Sequence, residues 1–312
     1  MPRLQTLCKP MKPTLPPPLA FLALLTLGII WGASILLSKH VASTGHNGLG
    51  LTFWQMALGT VVLSGIGWLR KDPLPMNPKA FQFYLIVAVI GTLIPNSFSY
   101  TVAAHLPAGL IAIGIATVPM FSLLIALAIR SEKLQSSRLM GILLGGTAMV
   151  LLLGPDAALP DASMAIWVAI ALIAPFCYGA EGNYLAQATP PKMTAFNALR
   201  GSSIVGVVVS APVILATDTW VSLDLPWTSV EWGLLLNSAL HIITYGAYIW
   251  LVSRTGAVFA SQVAYLVTLS AIFLGILIFN ESHHILVWLA LALMLTGLAL
   301  VQPKGSESKA TK

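Results

Sequence analysis

Ten apolar stretches, each 16 to 24 residues long and nearly free of charge, follow one another through this chain, and they restrict it more than any other feature. They run from Leu19 to Ser38, Gly50 to Leu69, Phe81 to Ala104, Pro107 to Ile129, Leu139 to Gly154, Met164 to Leu185, Phe196 to Ala216, Glu231 to Val252, Ala257 to Phe279 and Ile285 to Val301. A helix of about 20 apolar residues spans the hydrocarbon core of a bilayer, about 30 Å thick. A soluble domain carries about 25% charged residues, whereas this chain carries 8%. It has too little polar surface to be a soluble fold. The expected class is an all-α integral membrane protein with ten transmembrane helices.

The loops between these stretches differ in charge by turns. The N-terminal tail (Arg3, Lys9, Lys12), the second loop (Arg70, Lys71, Lys79), the fourth (Arg130, Lys133, Arg138), the sixth (Lys192, Arg200), the eighth (Arg254) and the C-terminus (Lys304, Lys309, Lys312) hold all but one of the 16 basic residues. Lys39 alone falls on the other side, which carries Asp156, Asp161, Asp218 and Asp224. By the positive-inside rule both termini lie in the cytoplasm and the number of spans is even. The net charge of +6 therefore reports orientation, and no nucleic-acid partner is expected. Cys8 and Cys177 lie in a tail and an apolar segment, so no disulfide is expected.

The chain also repeats itself. Shifting it by 149 positions lays His105 on Arg254, Pro107 on Gly256, Ala108 on Ala257, Pro119 on Thr268 and Glu132 on Glu281, and a shift of 147 lays Trp31, Gly32 and Ala33 on Tyr178, Gly179 and Ala180. Five spans per copy is an odd number, so the second copy must enter the membrane from the opposite face. The expected organisation is a cytoplasmic tail (1–18), a first five-helix repeat (19–155), a second, inverted one (164–302) and a second cytoplasmic tail (303–312).

Polar side chains in hydrocarbon are costly unless satisfied, which makes them the candidate site. Asn237, His241, Tyr245 and Tyr248 share one face of the eighth span. Asn96 and Tyr100 share a face just after Pro95, and Trp31, Ser34 and Ser38 share one in the first span; Tyr178 stands on the sixth. All are read as lining a substrate cavity, the alternative being helix-to-helix hydrogen bonds. Gly28 and Gly32 fit a close helix contact. Glu181 and Arg200 lie at matched depth on consecutive spans, either as a structural ion pair at the inner mouth or as coupling or gating groups. Glu132 and Glu281 suit capping or locking of short loops. His283 and His284 make a poor metal set, being adjacent on one loop; neither metal nor cofactor is expected.

Trp31-Gly32 with Lys39, Pro119 and Glu132 with Gly141 in the first half, and Arg254-Thr255-Gly256-Ala257, Ala260, Tyr265, Glu281 and Gly297 in the second, give the chain its family likeness. It resembles the drug/metabolite transporter superfamily, specifically the bacterial permeases built from two EamA-type repeats. That resemblance implies a secondary transporter, an exporter, moving a small metabolite or drug-like solute across the inner membrane by alternating access through a cavity between the halves. The expected partners are that solute, the lipid bilayer and, as an oligomeric option, a second copy of the chain. Gln55, where many relatives have arginine, and Thr268, where the second repeat often has proline, depart from the pattern; the latter predicts a ninth span straighter than the fourth. The rival classes are an intramembrane enzyme and a channel. No nucleotide-binding loop, His-Glu-x-x-His motif or Gly-x-Ser-x-Gly elbow occurs, and a channel would call for rings of like residues from an oligomer.

The loop charges make the topology testable. Reporter fusions after Lys304 and at Lys133 are expected to read cytoplasmic, and fusions at Asp156 and Asp224 external. A cytoplasmic signal at Asp156 would contradict ten spans in two inverted halves.

Overall fold

The computed structural model describes residues 15–42, 45–103, 105, 114–132, 135–153 and 164–279, with 288, 289, 292, 293, 296, 297 and 300. Every regular element among the described residues is helical. The helices are α1 (Pro17–Ala42), α2 (Gly48–Leu69), α3 (Pro78–Ala88), α4 (Ile94–Ala103), α5 (Val118–Ala128), α6 (Ser136–Leu153), α7 (Met164–Ala171), α8 (Ile173–Ala188), α9 (Ala195–Ala216), α10 (Ser229–Thr255), α11 (Ala257–Ala260) and α12 (Val263–Phe279). Among the described residues five helical stretches are long and apolar enough to cross a membrane: Pro17–Ala42, Gly48–Leu69, Pro78–Ala103, Ala195–Ala216 and Ser229–Thr255. Gly114–Ala128 and Ala257–Ala271 are shorter apolar helices. Glu281, His283 and His284 lie outside the described residues.

Local chemistry sets the helix starts. The Asn47 carboxamide accepts from the Leu49 amide at 2.8 Å, and that of Asn77 accepts from Ala80 at 2.9 Å ahead of Pro78, whose fixed φ suits a first helical residue. Thr228 and Glu231 form a capping box that opens α10. Gly256 closes that helix at φ 86°, a conformation that a Cβ would oppose. The loop after α5 is held by Glu132, which accepts from the Arg138 guanidinium at 2.9 Å.

Among the described residues four spans are interrupted along their length, the fourth span in chain order at Thr117, a turn residue just ahead of α5. Between α3 and α4 a π-helical turn covers Val89–Leu93, where the Ile94 amide bonds the Val89 carbonyl, one residue before Pro95, which has no amide to give. α7 and α8 meet at Leu172, outside regular helix. The ninth span, expected from Thr268 to be straighter than the fourth, breaks as well, at Ser261 and Gln262. The Ser261 hydroxyl (2.9 Å) and the Gln262 amide (3.3 Å) both donate to the Val258 carbonyl, and the Gln262 N–H turns to Phe259 instead. Side chains competing for a backbone carbonyl do here what proline was expected to do.

The two halves pack by exchanging equivalent helices. α1 lies along α12 and α10, as α8 lies along α5 and the α3–α4 span, while α2 faces α9. The correspondence extends to single residues. A Cβ on Gly32 would fall 2.6 Å from Ser270 Cβ and 3.1 Å from the Ala271 nitrogen, and one on Gly179 would fall 3.0 Å from Phe121 Cβ and 2.8 Å from the Ser122 nitrogen. Gly32 and Gly179 are 147 apart, and both pairs of neighbours are 149 apart, which are the offsets of the sequence repeat. Gly28 sits equally close to Leu266, so both glycines of α1 serve the close contact expected of them.

Because backbone lies against Gly32, a larger residue there cannot be relieved by a rotamer change. Gly32→Leu is expected to lower stability by about 1–3 kcal/mol, read as a fall in melting temperature in detergent. Gly65→Leu, at an exposed position with nothing within 4 Å, should leave it near the parent value. Equal melting temperatures for the two variants would contradict the close packing of α1 on α12.

Candidate functional site

A cavity of about 120 Å3 lies between the halves, and both contribute to its wall. Trp31, Ser34 and Ser38 come from α1, Gln55 from α2, Asn96, Ser99 and Tyr100 from α4, Tyr178 and Glu181 from α8, His241 and Tyr248 from α10, and Ser261 from the break before α12. The repeat is visible in this wall. Trp31 and Tyr178 are equivalents, as are Ser34 and Glu181 at an offset of 147, and Ser99 and Tyr248, Ile115 and Ala264, and Val118 and Val267 at 149; all ten line the cavity.

The wall is braced by hydrogen bonds between helices. Tyr178 Oη donates to Asn96 Oδ1 at 2.8 Å, and Asn96 Nδ2 donates to Gln55 Oε1 at 2.9 Å, so one chain of bonds joins α8, α4 and α2. Asn237 Nδ2 donates to Ser38 Oγ at 2.9 Å and to Tyr100 Oη at 3.0 Å, while the Ser34 hydroxyl donates to Asn237 Oδ1. In a bilayer such bonds contribute about 0.6–2 kcal/mol each. Asn183 Nδ2 donates to the Ser122 carbonyl at 2.9 Å and fixes α8 on α5.

Glu181 is 1% exposed and accepts a hydrogen bond from the Tyr245 hydroxyl. The pair rests against the π-helical turn at Gly91, where a Cβ would overlap the Tyr245 hydroxyl and the Glu181 carboxylate. A side chain at position 91 would push α8 and α10 away from this span. Tyr245 in turn lies beside His241, ring centroids 5.1 Å apart. Trp31 meets Tyr248 edge to face at 5.8 Å, and the Tyr248 hydroxyl lies beside Gly182, next to Glu181.

Of the candidates named from sequence, Trp31, Ser34, Ser38, Asn96, Tyr100, Tyr178, Glu181, His241 and Tyr248 come together on this wall. Asn237 and Tyr245 stand behind it as braces, 1% and 2% exposed. Arg200 is elsewhere. Its guanidinium donates to the Asp72 carbonyl at 3.0 Å, beside Asn197, which donates to the Asp72 carboxylate at 3.2 Å. No ion pair joins it to Glu181 among the described residues. The pairing expected from matched depth fails because depth ignores helix phase: α8 turns Glu181 to α10, whereas α9 turns Arg200 to the loop after α2. Gln55, Ser99 and Ser261 are lining residues that the sequence reading did not select. Ser99 lies three residues from Asn96, on its helical face, and was legible; Gln55 and Ser261 depend on tertiary packing.

The cavity wall reaches Ser38 and Ala103, toward the ends of α1 and α4. At the other end the helices are closed by a buried cluster that includes Leu24, Phe83, Leu185, Leu251 and Phe259, with Phe21 and Phe259 edge to face at 5.3 Å. The site is therefore a pocket closed at the end where α1 begins.

A solved crystal structure shares this fold at a TM-score of 0.70, over 91% of this chain and 96% of that one, at 15% identity. No curated protein sequence matches the chain. The sequence profile of the EamA-like transporter family matches it twice, over residues 18–154 and 165–302. Two copies of one family unit, packed through equivalent helices around a shared cavity, are what the repeat offsets foreshadow, and this chain belongs to the EamA-like transporter family.

Proposed function

We propose that the protein is a secondary transporter that carries a small metabolite or drug-like solute across the inner membrane by alternating access, with both termini in the cytoplasm. The observation that carries this reading is the cavity at the junction of the two halves, walled by equivalent residues of each and closed at one end by the cluster around Phe259. If the halves rock about the glycine contacts of α1 on α12 and α8 on α5, that cluster opens and the region of Ser38 and Ala103 closes. Loops read as cytoplasmic from their basic residues lie at the end closed by that cluster, which supports reading this conformation as an outward-facing one. Aromatic rings supply flat apolar contact and Asn96, Ser99 and Ser38 supply hydrogen bonds, a composition suited to orienting a small solute.

A channel is separated from a carrier by access from the two sides. In a Cys8→Ser, Cys177→Ser background, Ser99→Cys is expected to react with an impermeant maleimide added to the external face of oriented vesicles, and at least tenfold more slowly from the cytoplasmic face. Ala20→Cys, at a fully buried position, should stay unreactive. A transported solute from a metabolite library should show saturable counterflow, and the direction of the driving gradient assigns export or import. Equal labelling of Ser99→Cys from both faces, with no saturation of flux, would identify a channel.

A further inference from the structure

The cavity wall is nearly symmetric in position and strongly asymmetric in charge. Each repeat contributes an aromatic ring at the same place, Trp31 and Tyr178, but one helical turn further on the first repeat has the neutral Ser34 and the second has Glu181. Ser34 is used up inside the wall, donating to Asn237. Among the described residues Glu181 receives one hydrogen bond, from Tyr245 on the helix behind it. No lysine or arginine lines the cavity, and no ion pair joins Glu181 to His241 or to any other side chain among the described residues. An acid placed this deep in a membrane protein without a protein cation is expensive to keep ionised unless a charge arrives to meet it.

The groups around the carboxylate narrow what that charge can be. Tyr178 stands one turn before Glu181 on α8, the Tyr248 hydroxyl lies beside Gly182, and Trp31 packs edge to face on Tyr248 at 5.8 Å. Three aromatic residues thus share the cavity wall with a single carboxylate. Aromatic faces attract organic cations, and a carboxylate fixes where the charge sits. A hydrated metal ion would want several hard oxygen ligands, and an anion would gain no electrostatic attraction from Glu181, neutral or ionised.

Resting on the transporter reading above, we propose that the cavity selects a monovalent organic cation, an amine or quaternary ammonium with a small aromatic or alkyl body. Its charged end sits against Glu181 and its body lies among Trp31, Tyr178 and Tyr248. Tyr245 is a positioning residue: its hydroxyl holds the carboxylate against the Gly91 turn and leaves it facing the cavity.

The test is a charge series on one body, bound to the full-length protein in detergent and measured by equilibrium dialysis with labelled ligand. Phenethylamine and benzyltrimethylammonium are expected to bind at least tenfold more tightly than 2-phenylethanol, phenylalanine or phenylacetate. Glu181→Gln, once shown by size exclusion and melting to be folded, should lose that preference. Tyr245→Phe should weaken cation binding several-fold without changing the order of the series. The series on the parent protein decides the matter even if Glu181→Gln does not fold. A flat series, a preference for the zwitterion or the anion, no binding of either cation at millimolar concentration, or an unchanged preference in Glu181→Gln overturns the assignment. Saturable counterflow of another solute with a flat series would leave the carrier reading standing and remove only the cation. Cation binding through Glu181 with no counterflow of either cation would do the reverse.

Discussion

Two close approaches of helix backbones, Gly32 on Ser270 and Gly179 on Phe121, set the spacing of everything else in this protein. Lipid tails are as apolar as leucine, so helices in a bilayer gain nothing by hiding apolar surface from each other; they associate where small residues let backbones touch. These two contacts cross between the halves, since each joins the first helix of one repeat to the fourth span of the other. They clamp the repeats together while leaving the space between α4, α8 and α10 unfilled. The cavity results from an interface that is tight at two equivalent places and open between them.

The interruptions serve that interface. The π-helical turn before Pro95 brings Gly91 against the Glu181 and Tyr245 side chains, and the break at Ser261 and Gln262 opens the helix at the cavity wall. Irregular backbone is tolerated at membrane depth only where protein or a water-filled space satisfies it. Here the Val258 carbonyl is satisfied by the Ser261 and Gln262 side chains. Duplication supplied the frame of the site and divergence supplied its chemistry: ring answers ring at Trp31 and Tyr178, but Ser34 answers Glu181.

Braces and lining residues are hard to tell apart in a sequence, since both are polar groups on apolar helices. Asn237 and His241 sit on one face of α10, one turn apart. Asn237 is consumed by Ser34, Ser38 and Tyr100, and His241 faces the cavity. The stripe that links them was legible from the helical period; the division of labour within it was not. Arg200 shows the same limit more sharply, because its partner at Asp72 lies 128 positions away.

The sequence by itself determined the helical membrane class, the duplication and most of the polar and aromatic residues that meet in the cavity. Each of these follows from local rules: apolar length, the repeat offset and the phase of a helix. Only the tertiary structure decided which polar group bonds which, that Glu181 turns to Tyr245 and away from Arg200, and that the ninth span breaks without a proline. Those outcomes depend on the rotation and separation of helices distant in the chain. Close backbone contacts at a few glycines fix both, and no local pattern records where such contacts will point a neighbouring side chain.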